Sequence, residues 1–129
     1  MTEVAGGIGV LLVEDSDVYR DSLVFLLGRH EGIEIVGGVA DGESALRACR
    51  ELEPDVVVLD YRLPDLDGAE VAEELRERCP RAGIVFLSAS AGQDEYDAAA
   101  SAGAPLVRKD AGVEALVDAV RAAAGRSVA

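Results

Sequence analysis

The 129-residue sequence lacks several features that would assign it to a specialised class of protein. It has no tryptophan and only five aromatic residues, so a core must be built from Val, Leu, Ile and Ala. Its apolar runs are far shorter than the roughly 20 residues of a membrane-spanning helix, and residues 1–9 do not resemble a secretory signal peptide. We therefore expect a soluble, cytoplasmic protein of one domain.

Basic residues and cysteines are also scarce. Lys and Arg number 12 against 25 Asp and Glu, which gives a formal charge of −13 at pH 7. This charge repels nucleic-acid phosphates and anionic lipids, so this segment is expected to bind neither DNA nor a membrane. Cys49 and Cys79 stand far apart with no CxxC or Cys/His cluster, which favours two reduced thiols on helices over a redox role.

Five short apolar runs predict the strands of a sheet. Ile8–Val13 is continuous and rich in branched residues, as expected for a strand covered on both faces. Ile33–Val39 contains Glu34 and two glycines, which places it nearer the edge of the sheet. The other predicted strands are Val56–Leu59, Ile84–Leu87 and Leu106–Val107.

Helical patterns follow each of these runs, and Asp41, Asp67 and Asp94 are the predicted N-caps of three of them. The predicted helices are Val18–Arg29, Glu43–Leu52, Ala69–Cys79, Glu95–Ala102 and Val113–Ala124. Short connections between strands and helices predict an α/β fold with a doubly wound five-stranded parallel sheet of order 2-1-3-4-5 and helices on both faces, as in flavodoxin and CheY. We expect a domain at 8–125, with tails at 1–7 and 126–129.

Chemically active side chains follow four of the predicted strands. Glu14 and Asp15 follow the first, Asp60 the third, Ser88 the fourth and Lys109 the fifth. Because the carboxyl ends of neighbouring parallel strands meet at one edge, we expect these side chains to lie together. Clustered acids repel one another unless they share a cation, and oxygen ligands with room for water suit Mg²⁺ or Mn²⁺.

A carboxylate beside such a cation can attack phosphorus and form an aspartyl phosphate. Asp60 is best placed for this role, with Ser88 and Lys109 available to bind phosphoryl oxygens. Phosphatases of the haloacid-dehalogenase type fit less well, because their second Asp is replaced here by Arg62. A flavin or dinucleotide binder needs a glycine loop after a strand, whereas the glycines at 6–9 precede one.

These residues and their order resemble the receiver domains of bacterial two-component response regulators. The segment Asp60–Gly68 (DYRLPDLDG) fits the family's D-x-x-x-P-x-x-D-G loop. The acid pair Glu14 and Asp15, together with Ser88 and Lys109, completes the family's active-site set. The resemblance covers roughly residues 8–125.

The resemblance implies that a phosphohistidine on a sensor histidine kinase donates a phosphoryl group to Asp60. It also implies that Asp15, Asp60 and the Arg62 backbone carbonyl bind the metal, while Glu14 acts through water. The family is not enzymatic beyond catalysing its own phosphoryl transfer and hydrolysis.

Within the family, the segments LLVEDSDVYRDSL and AVRAAAG and the Lys109-Asp110 ending resemble the NarL type. The resemblance implies the regulatory half of a DNA-binding transcription regulator, and the alternative is a stand-alone receiver acting through a protein partner. It also suggests a homodimer through the first and last helices. The candidate contact residues are Val18, Leu23, Leu27, Leu116 and Ala123.

Two positions depart from the family pattern. Leu106, three residues before Lys109, stands where the family usually has Tyr or Phe. We therefore expect phosphorylation to be coupled to output through loop and helix repacking. Asp110 stands where many receivers have Pro, so no cis peptide is expected after Lys109.

Overall fold

Five parallel strands alternate with five helices in this computed structural model, which describes residues 7–89 and 92–128. The strands are β1 (Ile8–Val13), β2 (Ile33–Val39), β3 (Val56–Asp60), β4 (Gly83–Ser88) and β5 (Leu106–Arg108). The helices are α1 (Asp17–Gly28), α2 (Gly42–Leu52), α3 (Gly68–Arg78), α4 (Gln93–Ser101) and α5 (Val113–Val128), with a 3₁₀ turn at Lys109–Ala111. All strand pairs are parallel in the order β2-β1-β3-β4-β5, which confirms the predicted doubly wound sheet.

Helices cover both faces of the sheet, so the strands bury side chains on both sides. In β1, Val10 and Leu12 pack with α1 and α5, while Leu11 and Val13 pack with α2 and α3 on the other face. This double burial explains why the strand is a continuous apolar run rather than an alternating one. The prediction that β2 lies at an edge is confirmed.

Two of the three predicted helix caps are confirmed. Asp41 Oδ1 accepts a hydrogen bond from Ser44 N–H at 2.8 Å, and Asp67 Oδ1 accepts one from Ala69 N–H at 2.9 Å. The prediction for Asp94 is wrong, because α4 begins at Gln93, two residues earlier than predicted, and leaves Asp94 in its first turn. There the Glu95 side chain folds back and accepts the Gly92 N–H at 3.0 Å, which replaces the expected aspartate cap.

Several boundaries differ from those predicted. Strands β3 and β4 each run one residue further, to Asp60 and Ser88. Helix α5 continues to Val128, so most of the predicted tail at 126–129 is helical. The predicted tail at 1–7 lies outside the described residues apart from Gly7. Within the described ranges, no helix is long and apolar enough to span a membrane.

Four of the five candidate dimer contacts are in the core, so that part of the prediction is wrong. Leu23, Leu27, Leu116 and Ala123 are buried in the layer between the sheet and helices α1 and α5. Only Val18 is on the surface, where 79% of it is exposed. The inward faces of α1 and α5 cover β1 and β3. A contact outside the domain must therefore use residues on the outward faces of these helices.

Candidate functional site

The predicted site residues meet at the carboxyl edge of the sheet. Asp60 is the last residue of β3 and pairs with Leu87, and Ser88 then ends the neighbouring strand β4. Glu14 follows β1, and Lys109 follows β5. The parallel sheet therefore assembles groups that lie up to 95 positions apart in the sequence.

Lys109 bridges two buried acids at this edge. Its Nζ lies 2.7 Å from Glu14 Oε1 and 3.0 Å from Asp60 Oδ2. Glu14 is 1% exposed and Asp60 is 6% exposed, so both charges depend on this partner. Burial alone would lower the pKa of Lys109, but its bonds to Glu14 and Asp60 outweigh burial and raise it, so the ammonium stays charged.

An acidic cluster surrounds this lysine. Glu14, Asp15 and Asp60 each offer an oxygen, and these oxygens lie within 4.8 Å of one another. Three carboxylates and one ammonium leave two negative charges, the charge that one divalent cation neutralises. Glu14 Oε1 is buried and accepts no well-aligned hydrogen bond, although Lys109 is its ion-pair partner. This donor set fits a hard, oxygen-binding cation such as Mg²⁺.

The loop after β3 is held at both ends. Arg62 N–H donates to Asp60 Oδ1 at 3.0 Å, and Gly68 N–H donates to the Tyr61 carbonyl at 3.0 Å. A Cβ on Gly68 would lie 2.7 Å from the Tyr61 oxygen, which explains why the loop closes on a glycine.

Asp65, in the middle of the same loop, reaches helix α2. Its carboxylate accepts the Gly42 and Glu43 N–H groups at 2.8 and 3.1 Å, and these bonds lower the pKa of Asp65. The loop that carries Asp60 is thereby tied to the start of α2. The sequence indicated the D-x-x-x-P-x-x-D-G loop but not this contact, because Asp41 already accounted for the α2 cap.

Two further residues border the site and were missed by the sequence prediction. The Tyr19 ring lies beneath Lys109, with Nζ 4.6 Å from the ring centroid. Glu95 is only 9% exposed, and its Oε2 lies 3.5 Å from Ser88 Oγ and 3.4 Å from Arg62 Nη2. The sequence could have indicated them only through their location. Each lies in the first turn of a helix, and that helix follows a strand that ends at the site.

Leu106 lies beside the site rather than in it. It pairs with Phe86 across β4 and β5 and is partly buried among the residues that pack under α2, α3 and α4. The position of the usual aromatic residue is therefore filled by a core side chain.

A family model for the response regulator receiver domain matches residues 10–121. The chain belongs to the response regulator receiver family. The receiver is 34% identical over 115 residues to response regulator GacA of Pseudomonas aeruginosa, which covers 88% of this chain and 54% of that protein. It is 43% identical over 89 residues to a protein-glutamate methylesterase/protein-glutamine glutaminase of Anaeromyxobacter dehalogenans, covering 69% of this chain and 25% of that protein.

Among solved structures, the receiver resembles the signal receiver domain of NarL from Mycobacterium tuberculosis. The TM-score is 0.85 at 30% identity, and the match covers 92% of this chain and 97% of that chain. The receiver spans about half the length of GacA and a quarter of the methylesterase.

Proposed function

We propose that Asp60 takes a phosphoryl group from a phosphohistidine on a sensor histidine kinase. The observation that carries this proposal is Lys109 Nζ, 3.0 Å from Asp60 Oδ2 at the edge where the acid pair also lies. In the transfer, an Asp60 oxygen bonds to phosphorus while the phosphorus–nitrogen bond breaks, and the histidine ring keeps the electron pair. The receiver catalyses only this transfer and the later hydrolysis, and is not an enzyme for a separate substrate.

A Mg²⁺ or Mn²⁺ ion fits the acidic cluster. Asp15, Asp60 and the Arg62 backbone carbonyl would hold it, with Glu14 acting through water. When bound, the ion would offset the negative charge of the phosphoryl oxygens. The two negative charges that Lys109 leaves uncompensated support this assignment.

Ser88 and Lys109 would bind the phosphoryl oxygens. Lys109 is already within reach of Asp60, and Ser88 ends the neighbouring strand. The Ser88 hydroxyl donates to Glu95 in this structure, so it must turn away from Glu95 to donate to a phosphoryl oxygen. Phosphorylation would thereby change the environment of the first turn of α4.

Labelling with a small phosphodonor tests this function. We expect acetyl phosphate with Mg²⁺ to add one phosphate per chain in the intact mass spectrum, and a chelator to prevent it. Labelling that is unaffected by the chelator would contradict the metal site, and no labelling by either acetyl phosphate or a phosphorylated histidine kinase would contradict the function.

We further propose a NarL-type output, in which this cytoplasmic receiver is the regulatory half of a DNA-binding transcription regulator. The similarity to GacA and to the NarL receiver supports this output. The similarity to a methylesterase leaves a second candidate, a receiver that acts through a protein partner. The charge of −13 indicates that DNA contact would have to come from outside these 129 residues.

The outer face of α1 is the best candidate for a dimer contact involving α1 and α5. Val18 and Phe25 are 79% and 63% exposed, and their spacing of seven residues places them on one side of the helix. Val24 and Leu26 are each 39% exposed but lie about 100° to either side of Phe25 around the helix. Val18 and Phe25 are therefore the exposed apolar pair on this face, which the buried residues predicted from the sequence could not provide.

We expect phosphorylation to strengthen self-association and Phe25→Ser to weaken it, because the substitution removes exposed apolar area without disturbing the core. Sedimentation velocity with and without acetyl phosphate measures the effect, and Leu52→Ser on the exposed part of α2 is the matched control. The same samples should bind no DNA at physiological salt. Tight DNA binding, or a dimer insensitive to Phe25→Ser but lost in Leu52→Ser, would contradict the proposal.

Leu106→Tyr tests how phosphorylation is coupled to output. The position packs among core residues and pairs with Phe86 rather than with a site residue, so the rate of phosphorylation by acetyl phosphate should stay nearly unchanged. The added ring and hydroxyl should instead alter self-association of the phosphorylated form. Leu106→Met, which adds no ring, is the control. A large loss of phosphorylation rate in the Tyr variant alone would show that Leu106 supports the site directly.

A further inference from the structure

The two cysteines of the chain meet at the end of the domain opposite Asp60. Cys49 lies in α2 and is 1% exposed, while Cys79 directly follows α3 and is partly exposed. Burial raises the pKa of the Cys49 thiol, and the neighbouring Cys79 thiol raises it further. Both residues are free thiols in this structure. The packing of α2 against α3 thus creates a dithiol that the sequence spacing did not suggest.

The dithiol opens on a cavity of about 550 Å³, larger than the two other cavities described, of about 160 and 200 Å³. Arg50, Arg78 and Arg81 line this cavity together with both cysteines and the acids Glu53 and Asp55, so the lining carries one net positive charge. Its volume lies in the range of small-molecule sites, and the excess of guanidinium groups favours an anionic ligand over a cationic one. The cavity gives a small acidic reagent access to Cys79.

We propose that Cys49 and Cys79 form a redox-active pair that an acidic low-molecular-weight disulfide oxidises to an intramolecular disulfide. The Cys79 thiolate attacks one sulfur of the reagent, whose sulfur–sulfur bond breaks and releases one thiol. Cys49 then loses its proton, attacks the Cys79 sulfur and releases the second thiol. The two protein thiols are oxidised, the reagent is reduced to two thiols, and the protons end on these products.

Closing the bond brings the two sulfurs to about 2.05 Å. Cys79 follows the last residue of α3 and its N–H donates to the Leu75 carbonyl, and the Cys49 and Cys79 side chains are already neighbours. A metal site is a weaker alternative, because the only cluster of three or more metal-ligating groups in the described residues is the acidic one at Asp60.

The disulfide would join the C-terminal ends of α2 and α3 and close a loop around β3. We expect it to raise the melting temperature by roughly 5–10 °C, because the cross-link restricts the unfolded chain. Asp60 lies at the other end of β3, so phosphorylation by acetyl phosphate should proceed in the oxidised protein.

Oxidised glutathione tests the proposal on the full chain, with intact mass and thermal melting as readouts. We expect the protein to lose the mass of two hydrogen atoms, melt at higher temperature and revert with dithiothreitol. Cys49→Ala should stop at one stable glutathione adduct, while Cys79→Ser should not react because Cys49 is buried. Arg81→Ala should slow oxidation several-fold with glutathione disulfide but not with uncharged hydroxyethyl disulfide.

Two results would contradict the proposal. Stable glutathione adducts on the protein without substitutions, with no disulfide closure, would overturn the pairing of Cys49 with Cys79. A lack of any reaction in the folded protein, with rapid reaction in denaturant, would overturn the accessibility of Cys79. Each outcome leaves the labelling of Asp60 unaffected, so the redox proposal and the phosphorylation proposal fail separately.

Discussion

Asp60→Asn is expected to abolish phosphorylation by acetyl phosphate. An amide is not a nucleophile toward phosphorus under these conditions, and the substitution leaves Lys109 paired with Glu14 alone. The variant should remain folded, since Lys109 keeps its 2.7 Å ion pair with Glu14 and the amide oxygen can still accept from Arg62 N–H. The expected result is therefore a complete loss of labelling in a protein of near-normal stability.

Intact mass measures the labelling of the variant, and circular dichroism shows whether it is folded. Asp118→Asn, an exposed acid on α5, provides the same change of charge at a distance from the site and should be labelled normally. A full phosphate on the Asp60→Asn protein would sink the assignment of the phosphoacceptor. An unfolded variant would mean that Asp60 is required for structure as well.

The second large effect is expected on metal affinity. Asp15→Asn should weaken Mg²⁺ binding by about 10- to 100-fold, because a charged ligand oxygen is replaced by a neutral one. Asp15 is exposed, while Glu14 and Asp60 keep their ion pairs with Lys109. Since the substitution also relieves repulsion among the clustered acids, the metal-free protein should melt at the same temperature or slightly higher.

Isothermal titration with Mg²⁺ measures this effect, since the chain has no tryptophan to report binding by fluorescence. Asp17→Asn is the matched control, because Asp17 lies close in sequence and pairs with Arg20 at 2.6 Å outside the cluster. A lower melting temperature with unchanged Mg²⁺ affinity would show that Asp15 has a structural role rather than a metal-binding one.

Much of the site could be predicted because its parts follow from local patterns and from one topological rule. Apolar runs predicted the strands, and each strand end was followed by a polar residue within one or two positions. Parallel order then placed Glu14, Asp60, Ser88 and Lys109 at a common edge, and the structure brings them there. The cap predicted at Asp94 is wrong because the sequence permits two local bonding patterns, an aspartate cap or a glutamate that folds back onto the backbone. The structure has the second, in which Glu95 accepts the Gly92 N–H.

Other features depend on which face of a helix turns inward. Leu23 and Leu116 are in the core, whereas Val18 and Phe25 are exposed. All four of these helix residues are apolar, so residue type alone does not separate them. A helix rotation of one residue would reverse such assignments. Only the packing of α1 and α5 on the sheet decides which apolar residues remain for a partner.

The sequence by itself determined the fold, the order of the strands and the set of residues at the carboxyl edge, because periodicity, caps and strand connections are encoded within short segments. The tertiary structure alone decided the contacts between such segments: Tyr19 beneath Lys109, Glu95 against Ser88, and Cys49 beside Cys79. Each contact joins side chains from different elements, so it depends on how helices are positioned on the sheet and which rotamers fit there. That information arises only when the whole core is packed.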